Sequence, residues 1–273
     1  MINEFKTYLV NIKGYAVNTA VSYEKDLRTF VQFIKAQSAA ATWSSITQSD
    51  VDKYVIYLSQ THHKPATICR HISSISALYR YMKRQGLEVV NPAQYESRPK
   101  IAKTIPNTIP TEDIKSAIEH ANGMMKCIIR LLLETGIRIS ELQSIKGEDI
   151  NMKTGAIKIH GKGMKERYVY VNASTLNMLQ LFMTTPSSTL FGMYEQRELR
   201  KEIYESLKGH TIAKQKSPHA IRHTYATEMA RRGMTATTLQ KSLGHEHLNT
   251  TQRYIDLGQV SNEIECRQLS LFN

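Results

Sequence analysis

Cysteine is scarce in this sequence, and the three that occur, Cys69, Cys127 and Cys266, stand far apart. They form no CxxC pair and no Cys/His spacing of a zinc site, which argues against a disulfide framework and for a reduced intracellular setting. Long apolar runs are lacking too. The strongest, CIIRLLLETGI, is interrupted by Arg130 and is too short to cross a bilayer, so it is expected in a core. The opening MINEFKTYLVN carries Glu4 and Lys6 where a signal peptide needs an unbroken apolar stretch, and a cytoplasmic protein is expected. There is no internal repeat and no low-complexity tract, which excludes a solenoid or a disordered tail. Acidic residues are in deficit, 24 against 36 Lys and Arg, giving a net charge of +12. With both signs interspersed, this describes a folded basic protein whose leading partner class is nucleic acid, an anionic membrane surface being a distant second.

The 273 residues suffice for two domains, each with its own core. Four helical patterns fill the first ninety residues. Tyr23, Leu27, Phe30 and Ile34 recur at helical spacing, as do Ile68, Ile72, Ile75, Tyr79 and Met82. Thr47 or Ser49 is expected to cap the third helix and Thr67 the fourth, with Gly86 as the stop. Residues 1–90 therefore read as a helical unit. From Asn91 to Pro110 the text holds four prolines in twenty residues and reads as an extended interdomain linker. Between Lys64 and Lys103, eight basic residues (Lys64, Arg70, Arg80, Lys83, Arg84, Arg98, Lys100, Lys103) face only Glu88 and Glu96. Such a helix face and linker could straddle a phosphate backbone; Arg70, Arg80, Lys83, Arg84, Lys100 and Lys103 are the candidate DNA-binding residues. Residues 111–273 open with two helical segments and a turn-helix, GIRISELQSI. INMKTGAIKIHGKGMKERYVYVN then predicts a three-stranded antiparallel sheet, after which helical patterns resume.

The segment SPHAIRHTYATEMARRG places His219, Arg222, His223 and Arg231 on one predicted helix. His219 and Arg222, three apart, share a face and can point at one object. Because imidazolium and guanidinium repel, their concentration suggests an anionic visitor. A metal pair from His219 and His223 at the i, i+4 spacing competes, but it lacks an HExxH glutamate, and Arg222 lies between the two histidines. Elsewhere, ETGIRISEL places Arg138 two residues after a glycine at a helix entry, and HGKGMKER places Lys162 between glycines at a hairpin tip. SLGHEHLNTTQRYI supplies His245 and, nine residues on, Tyr254.

These motifs resemble the tyrosine recombinase, or phage-integrase, family, most of all its compact two-domain Xer-type members, and the resemblance runs along the whole chain. It implies a mainly α fold with a small antiparallel β-sheet: an N-terminal helical, SAM-like core-binding domain and an α+β catalytic domain. It also implies site-specific DNA cleavage and rejoining through a 3′-phosphotyrosyl intermediate and a Holliday junction. Self-association into a tetramer on double-stranded DNA sites follows from the same resemblance, with accessory DNA-bending proteins as further partners. Arg138, Lys162, His219, Arg222, His245 and Tyr254 match the catalytic set. A relative that relaxes or resolves DNA, and a catalytically idle DNA-binding regulator, are the alternatives.

The chemistry is consistent with that set. A tyrosine oxygen attacking a phosphodiester adds charge to the non-bridging oxygens, which two arginine forks can clamp, so neither metal nor other cofactor is expected. Lys162 can protonate the departing 5′ oxygen, His219 can handle the tyrosine proton, and His245 can hydrogen-bond a non-bridging oxygen. The phosphotyrosine conserves the bond energy, so no ATP is needed. Glu141, three after Arg138, is expected to support that arginine, and His223 to be a structural hydrogen-bonder. Lys165 and Arg167 are expected as clamps on the DNA backbone. Tyr225 is expected to pack inward, and Tyr168 and Tyr170 to cover one sheet face. The tail, residues 261–273, has an apolar end at Leu271 and Phe272 and is expected to dock on a neighbouring subunit. A simple recombination system, without an arm-binding domain ahead of the helical unit, is expected.

Overall fold

The computed structural model describes residues 1–94, 98–100, 106–161, 165–244, 251 and 254. The chain divides into two compact units, Met1–Lys103 and Thr104–Asn273. The first holds α1 (Ile2–Asn11), α2 (Val17–Gln37), α3 (Gln48–Gln60) and α4 (Pro65–Arg84). The second holds α5 (Thr111–His120), α6 (Gly123–Thr135), α7 (Ile139–Ser144), β1 (Ile150–Asn151), β2 (Ala156–His160), β3 (Glu166–Tyr170), α8 (Ala173–Gln180), α9 (Gln196–Lys208), α10 (Pro218–Arg231) and α11 (Ala236–Leu243). The fold is thus mainly α with one small antiparallel sheet. No helix among the described residues is long and apolar enough to cross a membrane.

In the first unit the helical stripes meet in one core. Leu27 and Phe30 of α2 pack there with Ile72, Ile75, Tyr79 and Met82 of α4, all fully buried, whereas Tyr23 is only half-buried. Thr47 caps α3 through a reciprocal box with Asp50. The N-cap of α4 is Lys64, three residues before the expected Thr67, with Pro65 at the first helical position. Proline suits that place, since its φ is already helical and the N–H it lacks would have no partner. The chain leaves α4 through Gly86, at φ +82°.

The proline-bearing stretch is anchored at both ends. Ala93 is buried in the first core, Asn91 Nδ2 donates to Ser76 Oγ at 3.0 Å, and the Cys69 thiol points at Pro99 O at 3.6 Å. At the other end, Ile109 is buried in the second core, and its N–H and C=O both bond the Thr224 hydroxyl at 2.8 Å.

The second unit is built around α6. Cys127, Ile128, Ile129, Leu131 and Leu132 have no exposed surface, as a helix apolar on nearly all sides requires. Helices α5, α7, α8, α9 and α10 and strand β3 contact it. The sheet order is β1-β2-β3, with Ile157 opposite Val169 and Ile159 opposite Arg167. Ile157, Ile159 and Val169 face the core, while Tyr168 and Tyr170 cover the solvent side. By the two-residue period of a strand, Arg167 shares the inner face with Val169.

Candidate active site

The turn between α6 and α7 requires glycine. Gly136 ends α6 at φ +61°, and a Cβ there would run into the Tyr225 ring. Tyr225 is itself buried, with its hydroxyl 3.1 Å from Ser242 Oγ. Two residues beyond the turn, Arg138 is the N-cap of α7. Its backbone N–H donates to Glu141 Oε2 at 2.7 Å, and its Nη1 donates to Oε1 at 2.9 Å. One buried carboxylate therefore caps the helix and orients the arginine.

Arg222 comes from α10, which Ser217 caps and Pro218 opens. It is only 3% exposed, and its guanidinium donates to Gly136 O at 2.6 Å and Leu243 O at 2.7 Å. Arg138 reaches the same helix end, with 3.4 Å from Nη1 to Leu243 O and 3.3 Å from Nη2 to Gly244 O. Arg167 completes the set from β3. Its Nε donates to Ser242 O at 2.7 Å, and its two Nη atoms donate to Glu141 at 3.0 and 2.8 Å. Three guanidiniums thus converge on the C-terminal carbonyls of α11, the negative end of its dipole, and only Glu141 balances their charge among the described residues.

The electrostatics follow. Burial, then the neighbouring Arg138, pushes the Arg222 pKa down to about 10, with Glu141 opposing. Burial alone would raise the Glu141 carboxyl, but hydrogen bonds from Arg167 and the Arg138 backbone, and both arginine charges, hold it below its ordinary value. His219, packed beside Arg222, is lowered by loss of solvation and then by the charges of Arg222, Arg138 and Arg200. The lowering favours its neutral form, which removes the repulsion expected of a protonated His219. The site is a cation-rich cluster, with Arg222 buried and Arg138 part-exposed, suited to an oxyanion.

Tyr254 is 3% exposed and packs with Tyr225, Ala226, Leu239 and Leu243. Its hydroxyl lies 2.6 Å from His223 Nδ1. The His219 ring meets the His223 ring edge-on at 4.2 Å. The histidine in contact with the phenol is thus His223, one turn further along α10 than the His219 expected from the sequence. The helical repeat gave a signal: positions 219 and 223 share a face, so either could reach the same group.

Two further differences concern the expected DNA-binding residues. Arg167 is not a free backbone clamp. Its side chain is 12% exposed and held by Glu141 and Ser242, because strand alternation turns it toward the core with Val169. Arg70 is paired with Asp26. Arg80, Lys83, Arg84, Lys100 and Lys165 are exposed, Arg84 lying over the Tyr8 ring at 5.4 Å. Lys103, Lys162, His245 and the tail 261–273 lie outside the described residues.

Comparison with known proteins agrees with this architecture. The profile of the Phage integrase family matches residues 107–259, and that of the Phage integrase N-terminal SAM-like domain matches residues 2–86. Among curated proteins, the chain is 28% identical to tyrosine recombinase XerD of Oceanobacillus iheyensis, over 93% of this chain and 92% of that one. It is 27% identical to tyrosine recombinase XerC of Halalkalibacterium halodurans, over 93% and 91%. Among solved structures, XerH recombinase in a post-cleavage complex with a palindromic difH substrate aligns with a TM-score of 0.76 at 18% identity, over 99% of this chain and 85% of that one. The Tn1549 transposon integrase in complex with transposon right end DNA aligns with a TM-score of 0.67 at 19% identity, over 97% and 99%. With its catalytic profile spanning more than half of the sequence and the N-terminal profile covering most of the rest, the chain belongs to the phage integrase family.

Proposed function

We propose that this protein is a site-specific DNA recombinase of the Xer type that cuts and rejoins duplex DNA with Tyr254 as nucleophile. The observation that carries this reading is the convergence of Arg138 and Arg222 on one carbonyl, Leu243 O, while the helix that bears Arg222 also holds the Tyr254 hydroxyl. The α11 carbonyls and Glu141 hold the guanidiniums before substrate arrives, and a scissile phosphate would take over the carbonyls' role as acceptor. Positive charge fixed in advance around developing oxyanions is usually the largest catalytic contribution.

In the reaction the phenolic oxygen attacks phosphorus, the bond from phosphorus to the 5′ oxygen breaks, and a 3′-phosphotyrosine remains. Lys162 protonates the departing 5′ oxygen, leaving a free 5′ hydroxyl, and His245 bonds a non-bridging oxygen. The tyrosine proton passes to the histidine pair on α10. Attack of a second 5′ hydroxyl reverses these steps, so the bond energy is conserved and no ATP is consumed. Because Tyr254 is buried, DNA engagement must uncover it. Two pairs of subunits acting on two sites, through a Holliday junction, complete the exchange in the cytoplasm.

The test is a nicked suicide site incubated with the protein in EDTA, followed by a denaturing gel. A covalent adduct is expected, absent in Tyr254→Phe and reduced at least 100-fold in Arg138→Ala or Arg222→Ala. An adduct that persists in Tyr254→Phe would move the nucleophile elsewhere. Free ends that require a divalent metal would overturn the mechanism.

A further inference from the structure

The first unit contains a buried polar chain that the catalytic reaction does not use. Asp26, on α2, is 2% exposed, and its carboxylate accepts from Arg70 Nε at 2.8 Å and Nη2 at 2.9 Å. His71 Nε2 lies 3.2 Å from Asp26 Oδ1, and the Tyr54 hydroxyl lies 2.9 Å from His71 Nδ1. Burial lowers the His71 pKa against the pull of Asp26, which favours the neutral ring, with Nε2 beside the Asp26 carboxylate and Nδ1 beside the Tyr54 hydroxyl. The two bonds from Arg70 and the buried His71 packed against it fix Asp26 and, through it, the plane of the Arg70 guanidinium.

Arg70 is the outer end of this chain, with a side chain 45% exposed. Asp26 takes the side edge of its guanidinium, through Nε and Nη2, and leaves the end edge, Nη1 with the outer Nη2 hydrogen, turned away from the carboxylate. That edge carries two parallel N–H donors. Along the same face of α4 come Ser73 and Ala77, small and part-exposed, and then the exposed Arg80 and Lys83. The rise of a helix puts Arg80 about 15 Å from Arg70.

Charge decides what this fork suits. A phosphate is attracted by net positive charge, and a carboxylate directly behind Arg70 cancels most of that attraction. What the pair retains is direction: two oriented donors on a nearly neutral unit. A base edge rewards direction. Guanine presents O6 and N7 as parallel acceptors in the major groove, the commonest partner of an arginine fork. The small Ser73 and Ala77 after Arg70 allow α4 to approach the groove floor, while the exposed Arg80 and Lys83 can meet phosphates.

We propose that Arg70 reads a guanine in each half-site, with Asp26, His71 and Tyr54 as its positioning residues; the inference rests on the recombinase reading above. The experiment selects binding sites from randomised duplex DNA with the full-length protein and measures the salt dependence of binding. The wild type is expected to fix a guanine at one position per half-site. Arg70→Lys keeps the charge and the Asp26 partner but loses the fork, and it should reduce discrimination at that position roughly tenfold with the salt slope unchanged. Asp26→Asn, checked for folding by thermal unfolding, should lose the same preference while binding unrelated DNA more tightly, because the Arg70 charge is uncovered. A merely structural role for Asp26 predicts weaker binding to all DNA. Retention of the guanine preference in Arg70→Lys overturns this inference alone, as does a uniform loss of affinity in Arg70→Ala with a flatter salt slope, which would make Arg70 a phosphate contact. A wild-type protein that binds no DNA overturns the recombinase reading as well.

Discussion

The Tyr254 hydroxyl lies 2.6 Å from Nδ1 of His223. At that distance the phenol and the imidazole form one hydrogen bond, so in the proposed mechanism Nδ1 of His223 is the group nearest to receive the phenolic proton. Removing the imidazole is expected to slow covalent adduct formation roughly 100-fold, the usual scale of general-base help. Single-turnover cleavage by His223→Ala, with DNA affinity measured in parallel, checks this. A drop in rate at constant affinity fits proton transfer; an unchanged rate would return His223 to a packing role.

Glu141 makes the stability of the second unit depend on acid. Its carboxyl is held below the ordinary value of 4.5 in the folded protein, chiefly by Arg167 and Arg138 acting against burial. A depressed carboxyl stabilises the fold fully above the unfolded-state value, and that contribution is lost as pH falls through the lower folded value. Glu141→Gln leaves two guanidiniums without their carboxylate and is expected to cost about 3 kcal/mol at pH 7. Urea unfolding at pH 7 and below 4.5 should show the wild type losing stability with acid and the variant losing less.

Much of this arrangement is legible in the sequence. The stripes of α2 and α4, the three strands and the Gly136 turn follow from periodicity and φ requirements that act over a few residues. What the sequence conceals is convergence. Nothing local in SLGHEH says that the carbonyls of Ser242, Leu243 and Gly244 receive arginines from β3, α7 and α10, since such contacts join residues 21 to 106 positions apart. The role of Arg167 was half visible, because its parity with Val169 turns it inward; an arginine at a hairpin base attracts a DNA-binding assignment only if that parity is ignored. Likewise the basic count in α4 includes Arg70, and only the fold reveals Asp26, 44 residues earlier, beneath it.

The end of α11 offers a test of the scaffold. Gly244 has φ +64°, and a Cβ there would lie 2.9 Å from Arg167 Nη1. Gly233 has φ +86° with nothing within 4 Å of its would-be Cβ. Both alanine variants carry the left-handed backbone cost, about 1–2 kcal/mol. Gly244→Ala must in addition displace Arg167 from Glu141 and shift the carbonyls that hold Arg138 and Arg222. It is therefore expected to lose cleavage activity as well as stability, whereas Gly233→Ala loses stability alone. Equal activities in the two variants would mean that the α11 carbonyls do not organise the arginines.

The basic stretch at the end of the first unit makes a prediction of a different kind. Lys100 is exposed, and Lys103 follows it in sequence. Among the described residues no carboxylate pairs with Lys100 as Asp26 pairs with Arg70, so Lys100, and Lys103 with it, is expected to act through net charge on phosphate rather than through direction. Replacing both with glutamine should weaken binding to every DNA sequence alike. The slope of log affinity against log salt should flatten by about one unit per lost phosphate contact, because fewer counterions are released. Titrations at several salt concentrations, on a selected site and on unrelated duplex, measure both effects. A changed site preference at constant slope would reverse the assignment and make this stretch, not α4, the part that reads bases.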